Sequence, residues 1–121
     1  MATTLHLAPV DIADRTLITF PPEIDLSNAA VLLAEACALA DERAGQLREF
    51  VLDLTRTGFL DSQGVRLLLD LRRHLHDRYG ALLRVAALPV GPVRRVLTLS
   101  QVRRDVPMHD SVEDALRAGE L

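Results

Sequence analysis

The chain has 121 residues, of which 49% are hydrophobic, which is enough for one domain with a core and too little for two. The formal net charge is −3, and basic and acidic residues are spread along the whole length with no block of one sign, so nucleic acid and anionic membranes are not expected as partners. All 14 basic residues are Arg, which excludes mechanisms that need a lysine, such as a P-loop or a Schiff base.

The sequence indicates neither a secretory leader nor a membrane span. The first residues lack a basic region followed by an apolar run, and no segment reaches the roughly 18 apolar residues that a span needs. Cys37 is the only cysteine, so the chain cannot form an internal disulfide and suits a reducing compartment. We therefore expect a cytoplasmic protein.

The first part of the chain predicts a hairpin and a helix. Apolar residues within 5–12 indicate an edge strand around a proline, and residues 16–20 indicate a second strand that pairs with it. Ser27 or Asn28 can cap an alanine-rich helix over about residues 29–43.

The middle of the chain predicts a central strand and a long helix. Residues 50–54 are almost continuously apolar, which is typical of a strand covered on both faces. After a short connection, apolar residues recur at helical spacing and predict a helix over residues 63–78.

The last part predicts a strand over residues 81–87, a helix around 93–99, a short strand within 103–108 and a final helix that Ser111 caps. This order predicts an α/β fold, with a mixed sheet of about five strands and about four helices. The connections are too short for a second domain, so we expect a single domain over residues 1–121.

The most informative segment connects the central strand to the long helix through Asp61-Ser62-Gln63-Gly64. Ser62 is predicted at the helix N-cap, where its hydroxyl alone can contribute about 0.5 to 2 kcal/mol. The same position also suits a phosphate, because free N–H groups and the helix dipole attract anions. Phosphorylation there adds a charge of about −1.5 to −2 and changes the surface that a partner meets. Position alone leaves both interpretations open.

A second candidate segment, residues 22–27, follows the second strand and should lie near the sheet edge from which Ser62 emerges. Asp25 could orient the Ser62 hydroxyl during phosphoryl transfer. An aspartate close to a helix start also has a purely structural interpretation, which stays equally open.

The two segments resemble those of the STAS domain, in particular of bacterial anti-sigma factor antagonists. VLDLTRTGFLDSQGVRLLL (51–69) is similar to the family's strand, Asp-Leu, loop and Asp-Ser-Ser/Thr-Gly-Leu helix start. Glu23-Ile24-Asp25 resembles its Gly-Glu-Leu-Asp motif, and residues 93–116 resemble its C-terminal helix, strand and helix. Pro22 stands where the family usually has Gly, and Gln63 replaces the second Ser or Thr.

This resemblance implies that Ser62 is the phosphoacceptor and that Asp25, Asp61 and Gly64 support its phosphorylation. It implies a cycle in which the unphosphorylated chain binds an anti-sigma factor serine kinase and frees a sigma factor. Phosphorylation of Ser62 ends the binding, and a phosphoserine phosphatase resets it. ATP belongs to the kinase, so no cofactor is expected in this chain.

The expected docking surface combines the helix start with the Asp25 segment. Arg66 and Asp70 share one side of the helix by their i, i+4 spacing. The residues expected to contact the partner are Glu23, Ser62, Gln63, Arg66, Leu67 and Asp70. Whether the chain also forms a homodimer stays open.

The sequence also bears on three other functions: a serine hydrolase, a metal-binding protein and a STAS module without phosphorylation. A serine hydrolase would use Ser62 with His109, but Leu60 occupies a position where the G-x-S-x-G motif needs glycine, so an enzyme is not expected. His74 and His76 point in different directions on a helix, so no metal site is expected either. The remaining alternative is a STAS module that acts as a scaffold, sensor or transporter-associated subunit without a phosphorylation cycle, because a fold does not determine function.

Overall fold

A mixed β-sheet of five strands forms the centre of the structure, a computed structural model in which residues 7–120 are described. Within this range, four α-helices and a separate sheet of two short strands accompany it. The elements in chain order are β1 (Val10–Ile12), β2 (Arg15–Thr19), β3 (Glu23–Ile24), α1 (Ala29–Asp41), β4 (Glu49–Asp53), β5 (Phe59–Leu60), α2 (Ser62–Tyr79), β6 (Leu82–Ala86), α3 (Pro92–Leu99), β7 (Met108–His109) and α4 (Val112–Ala118).

The strand order in the large sheet is β1-β2-β4-β6-β7, with β1 antiparallel to β2 and every other pair parallel. β4 lies in the middle and is buried at every position. Phe50 and Leu52 belong to the main core, to which α1, α2 and α3 contribute, whereas Val51 packs with Ala115 of α4. The α/β fold with a mixed sheet, and a central strand covered on both faces, are therefore confirmed.

Several predicted boundaries differ from those of the structure, and the Leu5 end of the predicted edge strand lies outside the described residues. Arg103 and Arg104 belong to a 3₁₀ helix, and the predicted strand forms instead at β7, where Val85 N donates to Pro107 O (3.0 Å). α1 ends at Asp41, before the predicted residue 43, and α2 begins one residue earlier than predicted. The two-residue strands β3 and β5 were not predicted, and they position the candidate site.

The start of α1 also differs from the prediction. Asn28 occupies the N-cap position, but its side chain makes no capping hydrogen bond. It accepts a hydrogen bond from Asp25 N (3.0 Å) and donates one to Glu23 O (2.8 Å), so it stabilises the preceding turn. The Ser111 cap of α4 is confirmed, because its Oγ accepts a hydrogen bond from Asp114 N (3.0 Å).

A buried carboxylate connects the sheet to the end of the chain. Glu49, 4% exposed, accepts hydrogen bonds at Oε2 from Arg48 Nη1 and from Arg84 Nη2, both at 3.2 Å. Arg48 Nη2 also donates to Gly119 O (3.1 Å), and Arg15 Nη1 donates to Leu116 O (2.6 Å). Arg15 of β2 and Arg48, just before β4, thus hold the end of α4 against the sheet, and Arg48 and Arg84 share one buried carboxylate.

Substituting Glu49→Gln is expected to lower the free energy of unfolding by about 3 kcal/mol, because Arg84 then keeps its charge in a partly buried position without a carboxylate. The matched control is Glu42→Gln, since Glu42 is exposed and pairs with Arg43 at 3.6 Å; it should cost less than about 1 kcal/mol. Urea unfolding followed by circular dichroism measures both. Equal losses of stability in the two variants would show that the buried Glu49 carboxylate does not stabilise the fold more than an exposed one.

Candidate functional site

The short sheet of β3 and β5 brings the two candidate segments together. The strands are parallel, with Glu23 opposite Phe59 and Ile24 opposite Leu60. Gly58 N donates to Pro22 O (2.7 Å) at one end of the pairing, and Asp61 N donates to Ile24 O (3.3 Å) at the other. The Asp25 turn and the start of α2 are therefore neighbours in space.

Asp61, and not Ser62, is the N-cap of α2. The Asp61 Oδ1 atom accepts hydrogen bonds from Gln63 N (2.9 Å) and Gly64 N (3.4 Å). The prediction that Ser62 caps the helix was wrong, because the hydrogen bond from Asp61 N to Ile24 keeps Asp61 extended, with φ −108° and ψ −167°. Ser62 is consequently the first helical residue, where its side chain has no capping role.

The Ser62 side chain is exposed, and its hydroxyl makes no hydrogen bond within the described residues. It lies in an open groove of about 370 Å³ along the outer side of α2. The groove is lined by Ser62, Gln63, Val65, Arg66, Leu69, Asp70 and Arg73. The hydroxyl is thus accessible to another protein, and no hydrogen bond within the described residues depends on it.

Asp25 is close to this segment in the fold, but its carboxylate does not bond to Ser62. Asp25 Oδ1 accepts hydrogen bonds from Ser27 Oγ (2.5 Å) and Ser27 N (2.9 Å). The hydrogen bond from the Ser27 hydroxyl lowers the pKa of the Asp25 carboxyl below its usual value, so the group is ionised at neutral pH. The predicted orientation of the Ser62 hydroxyl by Asp25 is not seen, because the carboxylate stabilises the turn before α1.

Gly64 allows the start of α2 to pack closely on β5. A Cβ atom at Gly64 would lie 2.5 Å from Leu60 Cγ, and Leu60 is 2% exposed in the core. The absence of a side chain is therefore a packing requirement. Gly64 acts on Ser62 only through the position of the helix.

The remaining predicted contact residues do not all reach the surface. Arg66 is exposed, and neither Arg66 nor Asp70 forms an ion pair with a described residue. Together with Gln63, they also line a smaller groove of about 160 Å³ between α1 and α2. Leu67 was wrongly assigned to the contact surface, because it is 2% exposed and packs in the main core. Glu23 is exposed at the β3 edge.

Two exposed apolar residues beside the site were missed. Leu26, next to Asp25, is 78% exposed, and Phe59 of β5 is 48% exposed. The sequence does contain a signal for Leu26, which lies between two polar residues, Asp25 and Ser27, in a predicted turn. A leucine in such a position is expected to be exposed. Exposed apolar side chains of this kind are common components of protein-binding surfaces.

The histidines named in the enzyme and metal alternatives have other polar neighbours within residues 7–120. His109 Nε2 lies 3.3 Å from Arg84 Nη1, and burial beside that cation lowers the pKa of His109. His74 Nε2 lies 2.8 Å from Asp41 Oδ1, and His76 Nδ1 lies 3.3 Å from Asp77 Oδ1. No group of three or more His, Cys, Asp or Glu side chains that could hold a metal ion occurs among these residues.

Comparison with known proteins identifies the family. Residues 8–115 match the family model of the STAS domain, and the chain therefore belongs to the STAS domain family. None of the curated proteins with which the sequence was compared matches it. Within the described residues, no helix is both long and apolar enough to span a bilayer.

Solved structures share the fold. An anti-sigma factor antagonist from Mycobacterium paratuberculosis has a TM-score of 0.80 at 24% identity, over 93% of this chain and 91% of its own. The Bacillus cell fate determinant SpoIIAA in its phosphorylated form gives 0.64 at 20% identity, over 94% of this chain and 99% of its own. The murine anion transporter Slc26a9 gives 0.67 at 16% identity, with 90% of this chain matched to 18% of the transporter.

The cap assignment predicts unequal effects for two adjacent substitutions. Asp61→Ala should cost about 0.5 to 2 kcal/mol, because Gln63 N and Gly64 N lose their acceptor. Ser62→Ala should change the free energy of unfolding by less than about 0.5 kcal/mol, because its hydroxyl is unbonded. Chemical denaturation of both variants measures the difference. A larger loss in the free energy of unfolding for Ser62→Ala than for Asp61→Ala would show that Ser62 is the cap.

Proposed function

We propose that the protein is an anti-sigma factor antagonist that binds an anti-sigma factor serine kinase when Ser62 is unphosphorylated and is released when Ser62 is phosphorylated. The observation that carries the proposal is the exposed, unbonded Ser62 hydroxyl at the first turn of α2. Membership of the STAS family and the shared fold with SpoIIAA, an anti-sigma factor antagonist with a phosphorylated form, support it.

In the proposed reaction, the kinase transfers the γ-phosphoryl group of ATP to Ser62 Oγ. A new O–P bond forms at Oγ, the bond from the γ-phosphorus to the bridging oxygen breaks, and ADP leaves. The hydroxyl proton goes to a base. Because the Asp25 carboxylate is bonded to Ser27, we assign this base to the kinase. Hydrolysis of the phosphoserine by a phosphatase restores the hydroxyl.

The proposed docking surface consists of Glu23, Leu26, Phe59, Ser62, Gln63, Arg66 and Asp70, and is called the switch face below. It combines exposed apolar side chains with charges that have no partner within the described residues. A phosphate on Ser62 adds about −1.5 to −2 charges beside Asp61. Such a change is expected to repel a partner fitted to the neutral hydroxyl, because desolvated like charges at an interface are costly.

A second candidate function is a STAS module that binds another protein without a phosphorylation cycle. The likeness to part of Slc26a9 favours it, since the same fold there forms 18% of an anion transporter. The two functions differ in one measurable property, which is whether Ser62 accepts phosphate.

Incubation with a cognate anti-sigma factor kinase and ATP should add one phosphate, about 80 Da, to the protein, as measured by intact mass spectrometry. Ser62→Ala should gain none. Ser27→Ala is the matched control, because Ser27 is the other exposed serine of the site, and this variant should still gain one. Uptake of phosphate by Ser62→Ala would refute the proposal. Failure of every kinase encoded beside this protein to phosphorylate the wild type would also refute it.

Binding should depend on the charge at position 62. Ser62→Ala keeps the neutral surface and should bind the kinase within about threefold of the wild type, whereas Ser62→Asp should bind at least tenfold more weakly, a difference of about 1.4 kcal/mol. Titration calorimetry with the purified kinase measures both affinities. Equal affinities would show that charge at this position does not control docking.

A further inference from the structure

We propose that Arg66 holds the phosphate of phosphorylated Ser62 in an ion pair along α2, and that the N–H groups of Gln63 and Gly64 stay bonded to Asp61 and do not hold it. This inference rests on the proposed function, in that it concerns the modified form of the same serine. It assigns to Arg66 a positioning role within this chain, in addition to its place on the switch face.

Two of the N–H groups at the start of α2 are already bonded to a carboxylate. Asp61 Oδ1 accepts from Gln63 N (2.9 Å) and Gly64 N (3.4 Å). A phosphate could use these donors only by displacing a carboxylate, which would leave that negative charge beside the new one. An interaction that leaves the cap intact is therefore favoured.

Arg66 offers such an interaction. It lies four residues after Ser62, so the two side chains share one side of α2, about one turn apart. Both line the same groove, and Arg66 has no hydrogen bond or ion pair with another described residue. A guanidinium binds phosphate in a two-pronged geometry, and nothing has to be broken to form this pair.

Of the two arginines that line the groove, Arg66 is the nearer to Ser62, and two arginines elsewhere already form ion pairs. Arg43 pairs with Asp11 (2.7 Å) and Arg94 with Asp110 (2.9 Å). Arg73 lines the groove and is unpaired, but it lies 11 residues after Ser62, which is about 16 Å along the helix. Arg66 is thus the groove arginine within reach of the phosphate.

The pairing gives phosphorylation a second effect on the switch face. In the unphosphorylated protein, Arg66 pairs with no residue of the range 7–120, so its guanidinium can bind a carboxylate of the partner. Once Ser62 is phosphorylated, the guanidinium turns toward the phosphate, so the partner meets a new anion and loses a cation at the same time.

The test uses the full chain with phosphoserine incorporated at position 62 during translation, so that no kinase is needed. Phosphorus NMR over a pH series measures the second pKa of the phosphate, which is about 6 without a partner. Replacing the cation in Arg66→Gln should raise this pKa by about 0.5 unit relative to the chain with Arg66, because the paired guanidinium favours the dianion. Arg73→Gln is the matched control and should leave it unchanged.

The proposal is overturned if Arg66→Gln leaves the phosphate pKa unchanged, or if Arg73→Gln raises it equally. It is also overturned if the amide protons of Gln63 and Gly64 shift strongly downfield on phosphorylation, since they would then bind the phosphate in place of Asp61. Arg66→Lys keeps the charge and should recover part of the effect. These results are independent of kinase assays, so a failure here leaves the proposed function intact, and the two failures can be told apart.

Discussion

The parallel pairing of β3 with β5 determines where α2 begins, and the candidate site depends on that boundary. The last hydrogen bond of the pairing, from Asp61 N to Ile24 O, holds Asp61 in an extended conformation. The helix can therefore start only at Ser62, and the carboxylate one residue earlier becomes its cap. From the sequence alone, Ser62 could both cap the helix and present its hydroxyl to a partner. The pairing divides these roles, because Asp61 caps the helix and Ser62 is left exposed.

Two sets of arginines differ in their contacts, and the difference matters because every basic residue of the chain is an arginine. Arg15, Arg48 and Arg84 bind the buried Glu49 or backbone carbonyls near the end of α4. Arg66 and Arg73 on α2 have no such partner among the described residues. Since an uncommitted guanidinium can change partners without loss of a structural bond, the second group is the one suited to a surface that changes its contacts.

Sequence patterns predict the elements whose burial requires a regular spacing of apolar residues. They do not predict short strands or cap residues, which depend on contacts between distant parts of the chain. The central strand and α2 carry long apolar patterns, so both were found. β3 and β5 have two residues each, too few for any period to show. Asp and Ser are about equally good caps, so composition could not choose between Asp61 and Ser62. Leu67 could have been placed correctly, because Gly64, Leu67, Leu68, Leu71 and Leu75 form one buried helical stripe.

Family membership fixes the fold, whereas the proposed function requires a hydroxyl that can be modified without cost to that fold. Thr57 Oγ1 donates to Pro21 O (2.8 Å) and is buried, and Ser111 Oγ accepts from Asp114 N (3.0 Å) to cap α4. Adding a phosphate to either group would remove a bond that the structure uses. Ser62 makes no such bond within the described residues. A dianion at Ser62 therefore changes the energy of the surface far more than that of the core, which is what a reversible docking signal requires.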